Sequence, residues 1–445
     1  MISEIHEKHE MMEIKIPKLC LVVLIGASGS GKSTFAKKHF LPTEVVSSDF
    51  CRALVCDDEN NQRATPAAFE VLDLITRKRL AAGRLTVIDA TNVQPEDRES
   101  LIALARRYYC NAAAIVFDLP GEILEKRSRE RTDRDIPSQV ISRQLEQMRV
   151  SLGNLKNQGF RFIFLLDSEA AVNSAVIKRL PLSCDKSHLT GPFDIIGDVH
   201  GCYDELEELL EKLGYRLTDH NKDEPMKGPI FSHPQKRTVV FLGDIVDRGP
   251  RIVDCIKMVY NMVKFGGALC VPGNHDMKFL RKLKGRDVKI AYGLENTLAE
   301  IDALPGETRD SFKQKTLDFF EGLTSHYVLD HRRLAVAHAG IKRGMQGRNA
   351  AGVREFCLYG ETTGETDEFG LPVRCNWAAN YGGKAMVVYG HTPVPRVEWL
   401  NNTVNIDTGC VFGGKLTALR YPEREFVSVS AKKIHTEPLR PFKEK

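Results

Sequence analysis

The sequence predicts two α/β units in tandem: a P-loop unit with a mainly parallel sheet, then an α/β sandwich carrying two metal ions. Three observations carry this expectation. At 445 residues the chain is long for one domain and sufficient for two, each able to bury its own core. Near its start an apolar run leads straight into a glycine-rich Gly-Lys-Ser motif, and short apolar runs then alternate with amphipathic stretches, as in a parallel sheet covered on both faces. From residue 193 on, five apolar runs each close on a metal-ligand type of residue with a glycine within two positions. The expected boundaries are 1–179 for the first unit, 180–192 for a proline-bearing linker, 193–432 for the second unit and 433–445 for a charged tail or linker.

Composition narrows the class. A net charge of +4 is nearly balanced, so a polyanion would be met by local basic patches and not by a global field. The 11 cysteines show no Cys-x-x-Cys pair and read as reduced thiols of a cytoplasmic protein. Residues 1–18 lack a continuous apolar stretch and no run of 18 apolar residues occurs, so neither export nor a membrane partner is expected.

In the first unit, the apolar run 21–25 precedes Gly-Ala-Ser-Gly-Ser-Gly-Lys-Ser at 26–33, a complete P-loop. Gly26, Gly29 and Gly31 are expected to take positive φ, so that the loop's N–H groups, Ser30 among them, turn inward around phosphate oxygens. Lys32 would reach the β and γ phosphates, the Ser33 hydroxyl would ligate Mg²⁺, and a helix opening through Ser33 and Thr34 would add its dipole. ATP or GTP binding follows. After the short strand at 45–48 come Asp49 and Arg52. An acid there could take a proton from an attacking hydroxyl while Arg52 holds the acceptor's phosphate, although an N-cap aspartate has the same spacing. Asp89, ending a third strand, fits either a Mg²⁺-orienting carboxylate or a turn. Strands follow at 112–118 and 162–166, with a last helix at 168–178. Between them, Arg127, Arg131 and Arg134 fall at i, i+4 and i+7, one helix face if the helix holds that far, and suit a lid over a nucleotide's phosphates.

In the second unit, Asp198 and His200 follow the run 193–196, Asp244 and Arg248 follow 239–242, and Asn274 and His275 follow 269–272. His338 follows 334–337 and His391 follows 387–389. Asp, His, Asp, Asn, His and His on one rim, with no thiolate, make a binuclear site. Asp244 is the natural bridge, Asp198 and His200 complete one ion's protein shell, and Asn274, His338 and His391 the other's. His275 is placed to donate a proton to a leaving oxygen or a hydrogen bond to the phosphoryl group, and Arg248 to grip phosphate oxygens. Asp407, after a strand at 403–406, either orients a ligand histidine from behind or serves a turn.

These five motifs, spelled GDVHG, GDIVDRGP, GNHD, AHAG and GHTP, resemble those of the calcineurin-like metallophosphoesterases, whose fold is a two-layered β sandwich flanked by helices. Protein serine/threonine phosphatases and diadenosine tetraphosphatases share the spelling of the first three. The P-loop with Ser-Ser-Asp49-Phe-Cys-Arg52 and the lid arginines resembles the 5′-hydroxyl polynucleotide kinases. Fused in this order, the pair is similar to the bacterial polynucleotide kinase-phosphatases, which heal RNA ends. The resemblance implies ATP and Mg²⁺ on Lys32 and Ser33, Asp49 as general base, Arg52 on the acceptor phosphate, and Arg127, Arg131 and Arg134 as the lid. It implies two divalent ions, with Mn²⁺ the expected metal, RNA or DNA ends as substrates, and a homodimer. Members of that family continue into a ligase-like domain with a Lys-x-Asp-Gly motif, and no Asp-Gly dipeptide occurs here. Either that domain has been cut away, or a ligase or a 3′-terminal ribose methyltransferase on another chain is an expected partner. The competing expectation is a protein phosphatase or dinucleoside polyphosphatase with a nucleotide-sensing P-loop unit.

Overall fold

Cys20–Gly26 is buried at every position, so both of its faces must be covered. In the computed structural model, which describes residues 12–130 and 136–440, it is the central strand of a five-stranded parallel sheet. The order is Val45–Ser47, Thr86–Asp89, Cys20–Gly26, Asn111–Phe117, Phe162–Leu166. Alternate residues serve opposite faces. Leu21, Val23 and Ile25 pack with Leu72, Leu101 and Leu145 from the helices, while Val22 and Leu24 pack with Phe35 and Ala36 on the other side. This parallel arrangement leaves the P-loop, Asp49 and Asp89 at carboxyl ends of neighbouring strands.

The helix expected at 168–178 stops early. Its helical part is Glu169–Ser174, and Val176–Leu180 instead forms a strand parallel to Glu13–Pro17. The β-branched pair Val176-Ile177 favours the extended state, and Ile14 and Ile16 on the partner strand are fully buried. The chain divides into one compact unit of Met1–Leu182 with Arg348–Ala350, and another of Ser183–Gly347 with Ala351–Lys445.

The second unit is built on two five-stranded sheets. One runs Leu269–Cys270, Thr238–Phe241, Phe193–Ile196, Lys415–Tyr421, Glu425–Ser430; the other His326–Leu329, Leu334–Ala337, Met386–Tyr389, Thr403–Asn405, Trp399–Leu400. Ile195, Val240 and Leu419 from the first sheet meet Val336, Val388 and Val404 from the second in a shared apolar core. Helices Tyr203–Leu213, Ile252–Lys264 and Gly306–Gly322 contribute to the apolar cluster that takes in Ile196, Phe241 and Ala418 of the first sheet. This is the expected α/β sandwich. Residues 183–192 are knitted into it, the Val328 N–H donating to Cys184 O at 2.8 Å and the Lys186 N–H to Val328 O at 2.9 Å. Among the described residues, no helix is long and apolar enough to cross a membrane.

Candidate metal centre and P-loop site

In the second unit every ligand-type residue stands where a buried strand runs out. Asp198 and His200 follow Phe193–Ile196, Asp244 and Arg248 follow Thr238–Phe241, and Asn274 and His275 open the helix Asn274–Leu283. His338, His391 and Asp407 follow Leu334–Ala337, Met386–Tyr389 and Thr403–Asn405. His200, Asp244, Arg248 and His391 all hold positive φ, a conformation that non-glycine residues keep only where the surroundings impose it, and one that clusters at functional sites.

The backbone sets which imidazole nitrogen faces the centre. Nδ1 of His200 lies 2.8 Å from Val246 O and Nδ1 of His338 3.0 Å from Leu242 O, so each donates there and leaves Nε2 with a free lone pair. Nε2 of His338 lies 3.0 Å from Asn274 Oδ1, 2.9 Å from His391 Nδ1 and 3.5 Å from Asp244 Oδ2. Nε2 of His200 lies 3.4 Å from the same Asp244 oxygen. Asp244 thus stands within reach of both histidines, where a bridging carboxylate is needed. Asp198 accepts the His391 backbone N–H at 3.2 Å. Donor atoms of His200, Asp244 and His275 lie within 4.8 Å of one another, as do those of Asp244, His338 and His391.

Burial dominates the electrostatics. It pushes Asp244 and Asp407 up to about 7 and Asp198 well above the carboxylate range, with repulsion from Asp407 and Asp244 adding to the last. It pushes His338 down to about 4, and His200 and His391 well below their ordinary value. Neutral imidazoles, crowded carboxylates and an amide oxygen, without thiolate, suit a divalent ion. Two further features fit. Nε2 of His391 is buried without a hydrogen-bond partner, and a Cβ on Gly273 would stand 2.0 Å from Asp244 Oδ1. Only glycine lets the backbone pass that carboxylate.

Three residues that sequence reasoning passed over hold the centre together. Asp247 Oδ2 lies 2.6 Å from His275 Nδ1, and its other oxygen accepts from Thr297 Oγ1 at 2.5 Å. Asp276 accepts the backbone N–H groups of Gly273 and Ile245 at 2.8 and 2.9 Å, tying two ligand-bearing loops. Both aspartates sit inside the motifs already quoted, whereas Thr297 lies on the helix Leu294–Asp302 with nothing local to mark it. Arg248 faces His200 Nε2 at 2.6 Å and His275 Nε2 at 3.0 Å, a cation at the rim where phosphate oxygens would arrive. Asp407 accepts the Gly409 N–H at 3.0 Å and is buried beside Gly390, in electrostatic reach of Asp198.

In the first unit Lys32 opens the helix Lys32–His39, with Gly31 as its N-cap at φ 91°. Its Nζ donates to Gly26 O at 2.7 Å and Ala27 O at 2.9 Å, with Ser30 Oγ at 3.2 Å, which closes the loop on itself. Gly29 and Gly31 have positive φ as expected, but Gly26 does not. Its requirement is close approach, since a Cβ there would lie 2.7 Å from Ser30 Oγ and 3.0 Å from Phe117 Cβ. Ser33 and Thr34 are exposed at the start of the helix. The Ser33 hydroxyl bonds to Asp89, which burial raises above the usual carboxylate range, with Lys32 and Asp49 in electrostatic reach. Asp49 is ion-paired with Arg52, whose side chain is nearly buried. Arg127 Nη1 lies 3.2 Å from where a Gly31 Cβ would stand, and Arg127 Nη2 pairs with Glu169 at 2.6 Å. The helix carrying Arg127 is Gly121–Arg129, capped by Glu130, and Arg131 and Arg134 lie outside the described residues.

Residues 191–395 match the calcineurin-like phosphoesterase family, and residues 21–155 match a family described as an AAA domain. A bis(5′-nucleosyl)-tetraphosphatase PrpE (asymmetrical) of Bacillus cereus is 49% identical over 238 residues, 53% of this chain and 93% of that protein. The protein of the same name from Halalkalibacterium halodurans is 47% identical over 240 residues, 54% and 94% of the two chains. A gluconokinase structure from Sinorhizobium meliloti covers 36% of this chain and 93% of its own, at 18% identity and a TM-score of 0.25. The chain belongs, through its second unit, to the calcineurin-like phosphoesterases, enzymes that act with divalent metal ions. Its first unit is a P-loop unit of kinase-like fold.

Proposed function

We propose that the chain acts on both kinds of nucleic-acid end: the first unit transfers phosphate from ATP to a 5′-hydroxyl, and the second removes phosphate from a 3′ or 2′,3′ end. The observation that carries the kinase half is the Asp49–Arg52 pair beside the P-loop. Asp49 accepts the proton of the attacking hydroxyl, and Arg52 holds the phosphate of the acceptor strand. Lys32 turns from its own loop carbonyls to the β and γ phosphates, Ser33 and Asp89 hold the accompanying Mg²⁺, and Arg127 closes over the γ phosphate.

In the phosphoesterase half, Asp198, His200, Asp244, Asn274, His338 and His391 would hold two divalent ions, with Asp244 shared. Bound there, the ions supply a nucleophilic hydroxide and offset the charge on the phosphoryl group. Arg248 grips its free oxygens, and His275, its ring fixed by Asp247, takes up a proton from solvent at Nε2 and delivers it to the leaving oxygen. A second reading, hydrolysis of dinucleoside polyphosphates by this unit, is favoured by the names of the relatives that match it.

One experiment separates them. The full chain with Mn²⁺ and Mg²⁺ is given γ-labelled ATP with a 5′-hydroxyl oligoribonucleotide, a 3′-phosphorylated oligoribonucleotide, and diadenosine tetraphosphate, each alone. Label on the first and inorganic phosphate from the second are expected. Cleavage of diadenosine tetraphosphate alone, with no transfer, would replace the proposal by the second reading.

A further inference from the structure

A second cluster of metal-ligand side chains lies inside the second unit. Cys202 caps the 11-residue helix Tyr203–Leu213, Glu205 stands in its first turn, and Cys410 opens the turn Cys410–Phe412. Both sulfurs and a Glu205 oxygen lie within 4.8 Å of one another, and all three residues are buried, Glu205 being 1% exposed. Two thiols in an apolar core need no explanation; a carboxylate placed against them does. The Lys432 N–H donates to Glu205 Oε1 at 2.9 Å, and Nε2 of His435 lies 3.0 Å from the same oxygen. The His435 side chain is 6% exposed, and its Nδ1 is buried without a hydrogen-bond partner. The segment is held in place from the other side, since the His435 and Thr436 N–H groups both donate to Val411 O.

We propose that Cys202, Cys410 and Glu205 bind a zinc-class divalent ion, separate from the two expected at the catalytic centre, with His435 orienting Glu205 through Nε2. Three lines of chemistry converge on it. Thiolate with carboxylate and imidazole selects a borderline-soft cation, whereas the catalytic centre offers no sulfur. A tetrahedral ion with Zn–S bonds of about 2.3 Å spaces its ligands about 3.8 Å apart, so donors already within 4.8 Å need to close by about 1 Å or less. An imidazole N–H on a ligand carboxylate is the outer contact such sites use, and a water completes the shell. The dipole of the helix that Cys202 caps favours negative charge at that end. Binding releases the two thiol protons to solvent. The ion would join the backbone two residues past His200 to the turn three residues past Asp407 and to the segment 432–436. It would brace the catalytic ligands without touching substrate.

The test uses Co²⁺ as the probe on the reduced, chelator-treated full chain. A thiolate-to-cobalt charge-transfer band in the near ultraviolet is expected, because among the described residues only this cluster of metal-ligand side chains offers sulfur. The band should vanish in Cys202→Ser and Cys410→Ser, persist in His338→Ala, and shift in His435→Ala as the carboxylate loses its orienting partner. Should the cysteine variants fail to fold, alkylation of the wild type in moderate urea, where buried thiols open transiently, mapped by mass spectrometry gives an independent reading. Zn²⁺ should then protect Cys202 and Cys410 and leave Cys375 reactive. No band, alkylation indifferent to Zn²⁺, or air oxidation to a Cys202–Cys410 disulfide in preference to metal binding would each overturn the site.

Discussion

The P-loop is written in eight consecutive residues, 26–33, whereas the metal centre draws on six separate segments between 198 and 407. The first site is a property of local backbone: Gly31 at φ 91° ends the loop, Lys32 begins the helix, and the lysine folds onto carbonyls of its own loop. The second is a property of two sheets that bring strand ends together, and it keeps ligands such as Asp244 and His391 at positive φ, which few non-glycine residues adopt. A local site survives wherever its strand and helix survive. An assembled site depends on every loop that feeds it, so its supporting residues count for nearly as much as its ligands.

The largest expected effect tests whether the two sites are separable. Asp244→Ala removes the carboxylate that faces both His200 and His338, and phosphoesterase turnover should fall to the uncatalysed background. ATP binding by the first unit, measured by calorimetry, should stay unchanged in the same variant. Loss of both would mean that the sites are not independent.

Next comes the proposed base of the first unit. Asp49→Asn keeps the shape and the contact with Arg52 but cannot accept a proton. Phosphoryl transfer should fall by roughly two to four orders of magnitude, with ATP affinity little changed. If transfer continues at the original rate, Asp49 serves only the helix start.

A smaller loss is expected from Asp247→Asn, which weakens the hold on His275 while leaving the ligands in place. Turnover should drop about 10- to 100-fold, with KM nearly constant, as for other residues that act by orienting a neighbour. A KM effect alone would assign Asp247 to substrate binding and take away the distinction between ligand and support.

How much could be read in advance follows the same division. The P-loop unit was legible almost strand by strand, because apolar runs such as 162–166 form strands wherever they occur in an alternating pattern. The misread segment, 168–178, is one where a short helix gives way to an edge strand whose partner, Glu13–Pro17, lies over 150 residues earlier in the chain. Gly26 was read as a positive-φ glycine when it is a close-packing one, since sequence spacing cannot tell the two apart. In the metal centre the ligand residues stood out at strand ends, yet Thr297 and Asp276 act through tertiary contacts that no periodicity reports. The final pair, Lys415–Tyr421 with Glu425–Ser430, was also unforeseen, although it supplies two of the five strands of the sheet behind Asp198.

The smallest expected effect separates stability from catalysis within the assembled unit. His326 is fully buried, with Ser325 Oγ 3.1 Å from Nδ1 and the Gly347 N–H donating to Nε2 at 3.0 Å. Burial lowers it to about 3, with Asp185 pulling upward and Arg332 downward. The folded chain therefore keeps this ring neutral while the unfolded chain protonates it below about 6.5. The stability it contributes is present above that value and is lost as pH falls from about 6.5 toward 3, by up to about 1.4 kcal/mol per pH unit. The raised carboxylates of the metal centre act in the opposite sense, taking up protons in the folded state as pH falls from 7, so the wild-type curve alone mixes the two. His326→Gln keeps an acceptor for Gly347 and cannot take up this proton. Its urea-unfolding free energy should start below that of the wild type at pH 7 and lose less on going to pH 5. Parallel curves for the two proteins would show that His326 takes up its proton equally in the folded and the unfolded chain, and that burial at this position makes no pH-dependent contribution.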